Sequence, residues 1–242
     1  MNVLVTGGAG YIGSAVVEEL LADQHTPVVY DNLVAGHREA VPPDVAFVQG
    51  DLFDGALLRQ TLERHAIDAV VHLAAFLQPN ESINNPGKYF ENNVAGTVAL
   101  LNGMATQGVR RFILSSSCAT FGNPVYTPIG ERHPQQPISP YGLSKLMIEQ
   151  MLPWYEQPMA YAIATCATST PPARRPGAAR ITVEIHLLPL VLQVAMGEAR
   201  ARHDLWRRLR HPRRHLCARL HSYQRPGARA CAGAGAAGVA QL

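Results

Sequence analysis

Gly7-Gly8-Ala9-Gly10-Tyr11-Ile12-Gly13 (GGAGYIG) stands between an apolar, β-branched run, Met1 to Thr6 (MNVLVT), and Ser14 to Leu21 (SAVVEELL), whose apolar residues recur at helical spacing. A glycine-rich turn between a strand and a helix is the place for a phosphate loop. Gly8, Gly10 and Gly13 form G-x-G-x-x-G, and Gly7, Gly10 and Gly13 form the overlapping G-x-x-G-x-x-G. Lacking Cβ atoms, these residues permit a tight turn, close approach of backbone to a pyrophosphate and close packing of helix on strand. The helix amino end then presents free N–H groups to the anion.

A glycine triplet alone also fits an ordinary turn, so its neighbours matter. A second apolar strand, Pro27 to Tyr30 (PVVY), ends in Asp31, eighteen residues after Gly13. A carboxylate there suits ribose hydroxyls and repels a 2′-phosphate, and Asn32 and Leu33 bring no arginine to receive one, which favours NAD over NADP. A third strand, Val45 to Gln49, leads to Gly50-Asp51-Leu52. Asp51 suits an adenine amino group, or equally the cap of a helix over Phe53 to Leu62. A fourth strand, Ala69 to Leu73 (AVVHL), runs into Ala74 and Ala75, small enough for a flat cofactor to lie against the backbone. His72, near its end, reads as a hydrogen-bonded packing residue.

The fifth strand, Arg111 to Leu114, delivers Ser115, Ser116 and Ser117 at its carboxyl end, where ligands of open α/β sheets bind. Tyr141 and Lys145 follow on an expected helix running to Leu152, and their i, i+4 spacing places phenol and ammonium on one face. A free phenol titrates near pH ~10 and is a poor base at neutrality; a neighbouring ammonium and a positive nicotinamide ring would lower that value. Ser117 would hydrogen-bond the same substrate oxygen. A Tyr-x-x-x-Lys pair is common on helix surfaces, and the strand-borne serines and the glycine loop are what single this one out.

These residues resemble the extended short-chain dehydrogenase/reductase superfamily and, within it, the UDP-glucose 4-epimerases. The matching pieces are GGAGYIGS at Gly7, DNL at Asp31, GDL at Gly50, HLAA at His72, ES at Glu81, NNVAGT at Asn92, SSSCATFG at Ser115 and YGLSK at Tyr141, together covering almost all of residues 1–164. The resemblance implies a doubly wound parallel sheet of the Rossmann type. It implies a catalytic set of Ser117, Tyr141 and Lys145, and NAD contacts from the loop Gly7, Gly10, Tyr11, Ile12 and Gly13, from Asp31, Asn32, Asp51 and Leu52, from the strip Leu73, Ala74 and Ala75 to Leu77, and from Asn92, Tyr141 and Lys145. Relatives often carry lysine where Leu77 stands. Sugar-nucleotide 4,6-dehydratases place an Asp-Glu pair just after the serine, where this chain has Cys118-Ala119. The implied chemistry is NAD-dependent epimerisation at C4 of a UDP-hexose, with homodimerisation through the helices at Asn92 to Gln107 and Tyr141 to Leu152. An epimerase or dehydratase for another nucleotide sugar is the neighbouring alternative.

The chain then changes character. Its 242 residues carry a formal charge of +3, which hides −7 over residues 1–164 and +10, without lysine, over 165–242. A basic segment of this kind reads as an arm for nucleic acid on a non-catalytic NAD-binding remnant, or as coding DNA translated out of frame. The second reading is favoured. Asp204 to Pro212 (DLWRRLRHP), read from its second base with permitted codons, gives IYGDDYDTP, and Thr165 to Ala173 (TCATSTPPA), read from its third base, gives LRYFNAAG; both resemble epimerase sequence. Ile185 to Gly197 matches directly. The expected organisation is an NAD-binding domain over 1–164 followed, over 165–242, by a degraded, poorly folded remnant of a smaller substrate domain, with no nucleic-acid partner.

His203, His211, His215, His221 and Cys217 lack metal-ligand spacing, so no metal is expected. Cys118, Cys166, Cys217 and Cys231 show no disulfide pattern and suit a reducing cytoplasm. Met1 leads directly into the first strand, and no apolar run reaches the ~20 residues of a membrane span.

Overall fold

The computed structural model describes residues 1–127, 129–130, 132–159 and 162–168. Six parallel strands, β1 (Asn2–Thr6), β2 (Thr26–Asp31), β3 (Ala46–Gln49), β4 (Ala69–His72), β5 (Arg111–Ser117) and β6 (Ala162–Thr168), form one sheet in the order β3-β2-β1-β4-β5-β6. The chain leaves β1 in one direction and β4 in the other, so a crevice opens between their carboxyl ends. Helices α1 (Tyr11–Ala22), α2 (Gly55–Arg64), α3 (Pro79–Asn84), α4 (Pro86–Tyr89), α5 (Gly96–Gln107) and α6 (Pro140–Met159) complete the described fold. This is the expected doubly wound sheet. No helix among the described residues is long and apolar enough to cross a membrane.

Alternation along the strands creates two cores. Val3, Val5, Val29 and Val71 face Val16, Val17 and Leu20 of α1. Leu4, Val28, Val70 and Phe112 point the other way, onto Leu58 and Leu62 of α2, Leu100, Leu101 and Met104 of α5, and Ile148 and Leu152 of α6. With both faces covered, the strands read as nearly unbroken apolar runs. Each fully buried valine or leucine contributes roughly 1.5–3 kcal/mol of transfer free energy.

Strand β6 pairs with β5 from Arg111↔Ala162 to Ser117↔Thr168. It therefore crosses the boundary expected after residue 164. Residues 169–242, with most of the stretches expected to be out of frame and His203, His211, His215, His221, Cys217 and Cys231, lie outside the described residues.

The glycine loop shows why its residues are small. Gly7 has φ +73°, and a Cβ there would lie 2.6 Å from the Ala74 nitrogen; a Cβ on Gly13 would lie 2.1 Å from the Gly7 carbonyl oxygen. Between α4 and α5 the helix widens into a π-helical segment, Phe90–Ala95, a form found mostly as single turns at functional sites.

His72 is buried, with Nδ1 2.7 Å from Thr6 Oγ1 and Nε2 2.9 Å from Thr97 Oγ1. Thr97 donates its one hydroxyl proton to the Asn93 carbonyl, so it must accept from His72 Nε2–H. That leaves Nδ1 to accept from Thr6. Both ring nitrogens are committed in the neutral tautomer, and burial, aided by the Lys145 charge, lowers the pKa to about 3.

Two predictions follow from this architecture. Unfolded His72 accepts a proton below its ordinary value of 6.5 and the folded form does not until about 3, so its contribution is complete above pH 6.5 and is lost as pH falls to 3. It is on the order of 5 kcal/mol. Denaturant titrations should give His72→Gln a lower stability at pH 7 but a shallower decline between pH 6.5 and 3; an unchanged slope would exclude this role. Gly13→Ala should cost about 3 kcal/mol through overpacking, whereas Gly87→Ala, whose Cβ meets nothing within 4 Å, should change stability by less than about 1 kcal/mol.

Candidate active site

Three loops converge at the carboxyl ends of β1, β2 and β4. Gly10 caps α1 without a side-chain hydrogen bond, and the Gly10 and Ser14 N–H groups donate to Gly7 and Gly10 carbonyls. The first-turn N–H groups of Tyr11, Ile12 and Gly13 have no place in the helix ladder, so the loop has the donor set that an anionic pyrophosphate requires. Tyr11 is largely exposed at the rim, and Gly13 packs beneath the loop.

Asp31 ends β2, buried, with Oδ2 accepting from Ala9 N–H at 3.0 Å and Oδ1 from Leu33 N–H at 2.8 Å. It is thereby fixed against the loop, and each oxygen keeps a lone pair for a hydroxyl donor. Asn32 Nδ2 donates to Asp51 Oδ2 at 2.9 Å, which joins the next two expected cofactor residues. Asp51 Oδ1 accepts from Phe53 N–H, but α2 begins at Gly55 and its cap is Asp54, which accepts from Leu57 N–H. The capping alternative for Asp51 therefore falls to Asp54, because the chain makes one more turn before the helix starts. The Leu52 side chain packs into the core, leaving its backbone for a ligand.

Leu73, Ala74 and Ala75 form the strip that leaves β4, with Leu73 N–H held by the Thr6 carbonyl. At its end Phe76 exchanges both backbone hydrogen bonds with the Asn93 side chain, 2.9 Å to Oδ1 and 3.1 Å from Nδ2. Asn93 also donates to Ser144 on α6. Asn92, the expected contact, is half-buried and donates to Asn93; the clamp is its neighbour. Periodicity could not separate the two, since the π-helical turn re-aims both. Lys88 places its ammonium 4.3 Å over the Phe76 ring and on Glu81, and Phe53, Phe76, Asn85, Lys88, Glu91 and Asn92 line a cleft of about 400 Å³.

Ser117, Tyr141 and Lys145 converge at the end of β5. Ser117 ends the strand and opens the 3-10 turn Cys118–Phe121, where its Oγ accepts from Ala119 N–H. Tyr141 stands on the first turn of α6; its N–H donates to Ser82 Oγ at 3.1 Å, and the Tyr89 ring meets it edge-on at 6.3 Å. Lys145, one turn on, donates to the Ser115 carbonyl at 2.9 Å. Tyr141 and Lys145 are 7% and 2% exposed. Burial raises the Tyr141 pKa, a Ser117 hydrogen bond opposes it and the Cys118 thiol adds to it. The lowering expected from the ammonium does not figure among these effects, and burial sets the direction. Burial pulls Lys145 down to about 8 against the upward effect of Glu149.

The arrangement offers hydroxyl groups that can grip one substrate oxygen, a phenol that can exchange its proton, and a nearby cation. It lies beside a loop suited to a pyrophosphate and an anchored carboxylate suited to a ribose. The turn after Ser117 carries Cys118 and Ala119.

The chain is similar to known proteins in sequence and in fold. The chain is 42% identical to the UDP-glucose 4-epimerase of Lacticaseibacillus casei over 202 residues, 81% of this chain and 60% of that protein. Among solved structures, that of UDP-glucose 4-epimerase from Brucella ovis in complex with NAD superposes with a TM-score of 0.65 at 46% identity, covering 69% of this chain and 51% of that one. The Thermotoga maritima enzyme with UDP-glucose gives 0.63 at 33%, covering 68% and 53%. The chain thus spans about 60% of the length of the curated relatives it matches. With the model of the NAD dependent epimerase/dehydratase family matching residues 3–197, the chain belongs to that family.

Proposed function

We propose that this chain is the cofactor-binding and catalytic part of a UDP-hexose 4-epimerase that uses NAD. The observation that carries the reading is the convergence of Ser117, Tyr141 and Lys145 at the end of β5, next to the glycine loop and Asp31. The similar proteins bind NAD and UDP-glucose, which supports both assignments.

In this reading the N–H groups of Tyr11, Ile12 and Gly13 hold the pyrophosphate, Asp31 the adenosine ribose, and Asn32 with Asp51 the adenine edge. Leu52, Leu73, Ala74, Ala75 and Asn92 line the path toward Tyr141 and Lys145. When bound, NAD would accept hydride from C4 of the sugar, return it, and contribute a positively charged ring. Tyr141 takes the proton of the 4-hydroxyl as C4 is oxidised and gives it back when the ketone is reduced on its other face. Ser117 donates to the same oxygen and steadies the phenolate. Lys145 holds positive charge against the buried phenol, which otherwise stays protonated.

The domain reading is part of the proposal: residues 1–164 with NAD, then a substrate domain altered by frame changes over 165–242, two copies pairing through α5 and α6, in a reducing cytoplasm. Its sequence support is the out-of-frame likeness of Thr165 to Ala173 and Asp204 to Pro212 on either side of the directly matching Ile185 to Gly197, and the family match reaches residue 197.

Calorimetry on the full chain should detect NAD binding with NADP at least ~10-fold weaker, and Asp31→Ala should remove that preference. Equal affinity for the two in the parent chain would refute the Asp31 assignment. The chain as it stands should not turn over UDP-galactose. One expressed with LRYFNAAG and IYGDDYDTP restored should do so, and Tyr141→Phe in that form should lower kcat about 10²–10⁴-fold while leaving NAD affinity within ~2-fold. Turnover by the unrestored chain would refute the domain reading.

A further inference from the structure

Glu149 is buried on α6, one turn after Lys145 and two after Tyr141, so the three side chains share a helix face. The catalytic reading leaves it without a task. Its Oε1 receives the hydroxyl of Ser116 from β5, and its Oε2 accepts from Gln135 Nε2 at 2.8 Å. Ser116 lies between Ser115, whose carbonyl accepts from Lys145, and Ser117, which hydrogen-bonds Tyr141. One carboxylate therefore ties the end of β5 and the segment leading into α6 to the helix that carries the phenol and the ammonium.

We propose that Glu149 is a positioning residue of this site, whose carboxylate locks β5 and the Gln135 segment onto α6 and supplies the counter-charge for the Lys145 ammonium. The proposal rests on the catalytic reading of Ser117, Tyr141 and Lys145 and deepens it. A buried ammonium without a nearby negative charge gives up its proton, since desolvation penalises the charged form. Among the described residues, Lys145 meets Ser115 on β5, the charge of Glu149 one turn along α6, and His72 on β4, with Tyr141 one turn earlier on the same helix face. His72 is neutral, and Tyr141, with Cys118 beside it, is neutral until its phenol ionises. The direction agrees with this account, because Glu149 is the group that raises Lys145 toward its ordinary value.

The chain makes the test direct. It contains two lysines, Lys88 and Lys145, so protein grown on ¹³C-lysine shows two Cε resonances, and Lys88→Arg assigns them. Followed against pH in the full chain without NAD or sugar, Lys145 should titrate near 8. In Glu149→Gln, which can keep both hydrogen bonds by reversing that of Ser116, its midpoint should fall by about 1–2 pH units. Glu149→Asp keeps the charge one methylene further away and should give an intermediate value. An unchanged Lys145 midpoint in Glu149→Gln, or in Glu149→Asp should the glutamine variant not fold, overturns the proposal. This readout involves no turnover and no cofactor, so failure of the epimerase reading would appear separately, as absent NAD binding with the lysine shift intact.

Discussion

A single line of hydrogen bonds holds the crevice in register. It starts at Thr6 on the central strand, crosses the buried ring of His72 to Thr97 on α5, passes to the Asn93 carbonyl and side chain, and reaches Ser144, which donates to the Tyr141 carbonyl on α6. Each member is buried and each proton is assigned by its neighbours. In a low-dielectric interior such a chain is rigid when complete and costly when broken. It spans the same elements that the reading of the site requires: β1 with the glycine loop, β4 with the cofactor strip, and the helix bearing the phenol. Apolar packing sets how firmly the layers adhere, and this line sets where they stop sliding.

The local chemistry of the site was legible where residues are adjacent in sequence or share a helix face. The loop at Gly7 to Gly13, Asp31 at a strand end, and the Tyr141–Lys145 pair follow from short-range rules, and the structure places them together. What was not legible depends on geometry that short patterns do not encode. The Asn93 side chain that anchors the strip carries no motif signal of its own, and it reaches Phe76 through the π-helical segment Phe90–Ala95. The α2 cap is Asp54 because the chain after β3 makes an extra turn. Glu149 carries no motif signal, being one acid on an amphipathic helix, and its partners Ser116 and Gln135 are known only once β5 and the loop are folded.

Electrostatics divides the same way. From sequence, a phenol beside an ammonium reads as an activated base. In the folded chain both groups are buried, and burial moves both toward their neutral forms, the phenol upward and the ammonium down to about 8. Burial thus favours the neutral forms, yet at neutral pH the ammonium, at about 8, keeps its charge while the phenol stays protonated. Opposing that tendency are the Ser117 hydroxyl at the phenol and the Glu149 charge at the ammonium, each one bond or one helical turn away. Holding charge in such a place is a property of the surrounding shell more than of the two residues that carry it.

The strand order has a consequence for how the molecule tolerates change. The first strand made is central, the sheet grows outward from it on both sides, and the last described strand, β6, sits at an edge. On each side of the middle, order of synthesis and distance outward run together. Alteration that begins late in the chain meets an edge strand, which is held to one neighbour by backbone bonds that any residue but proline can make. A sheet centred on β1 and β4 therefore keeps its middle independent of whatever pairs beyond β6.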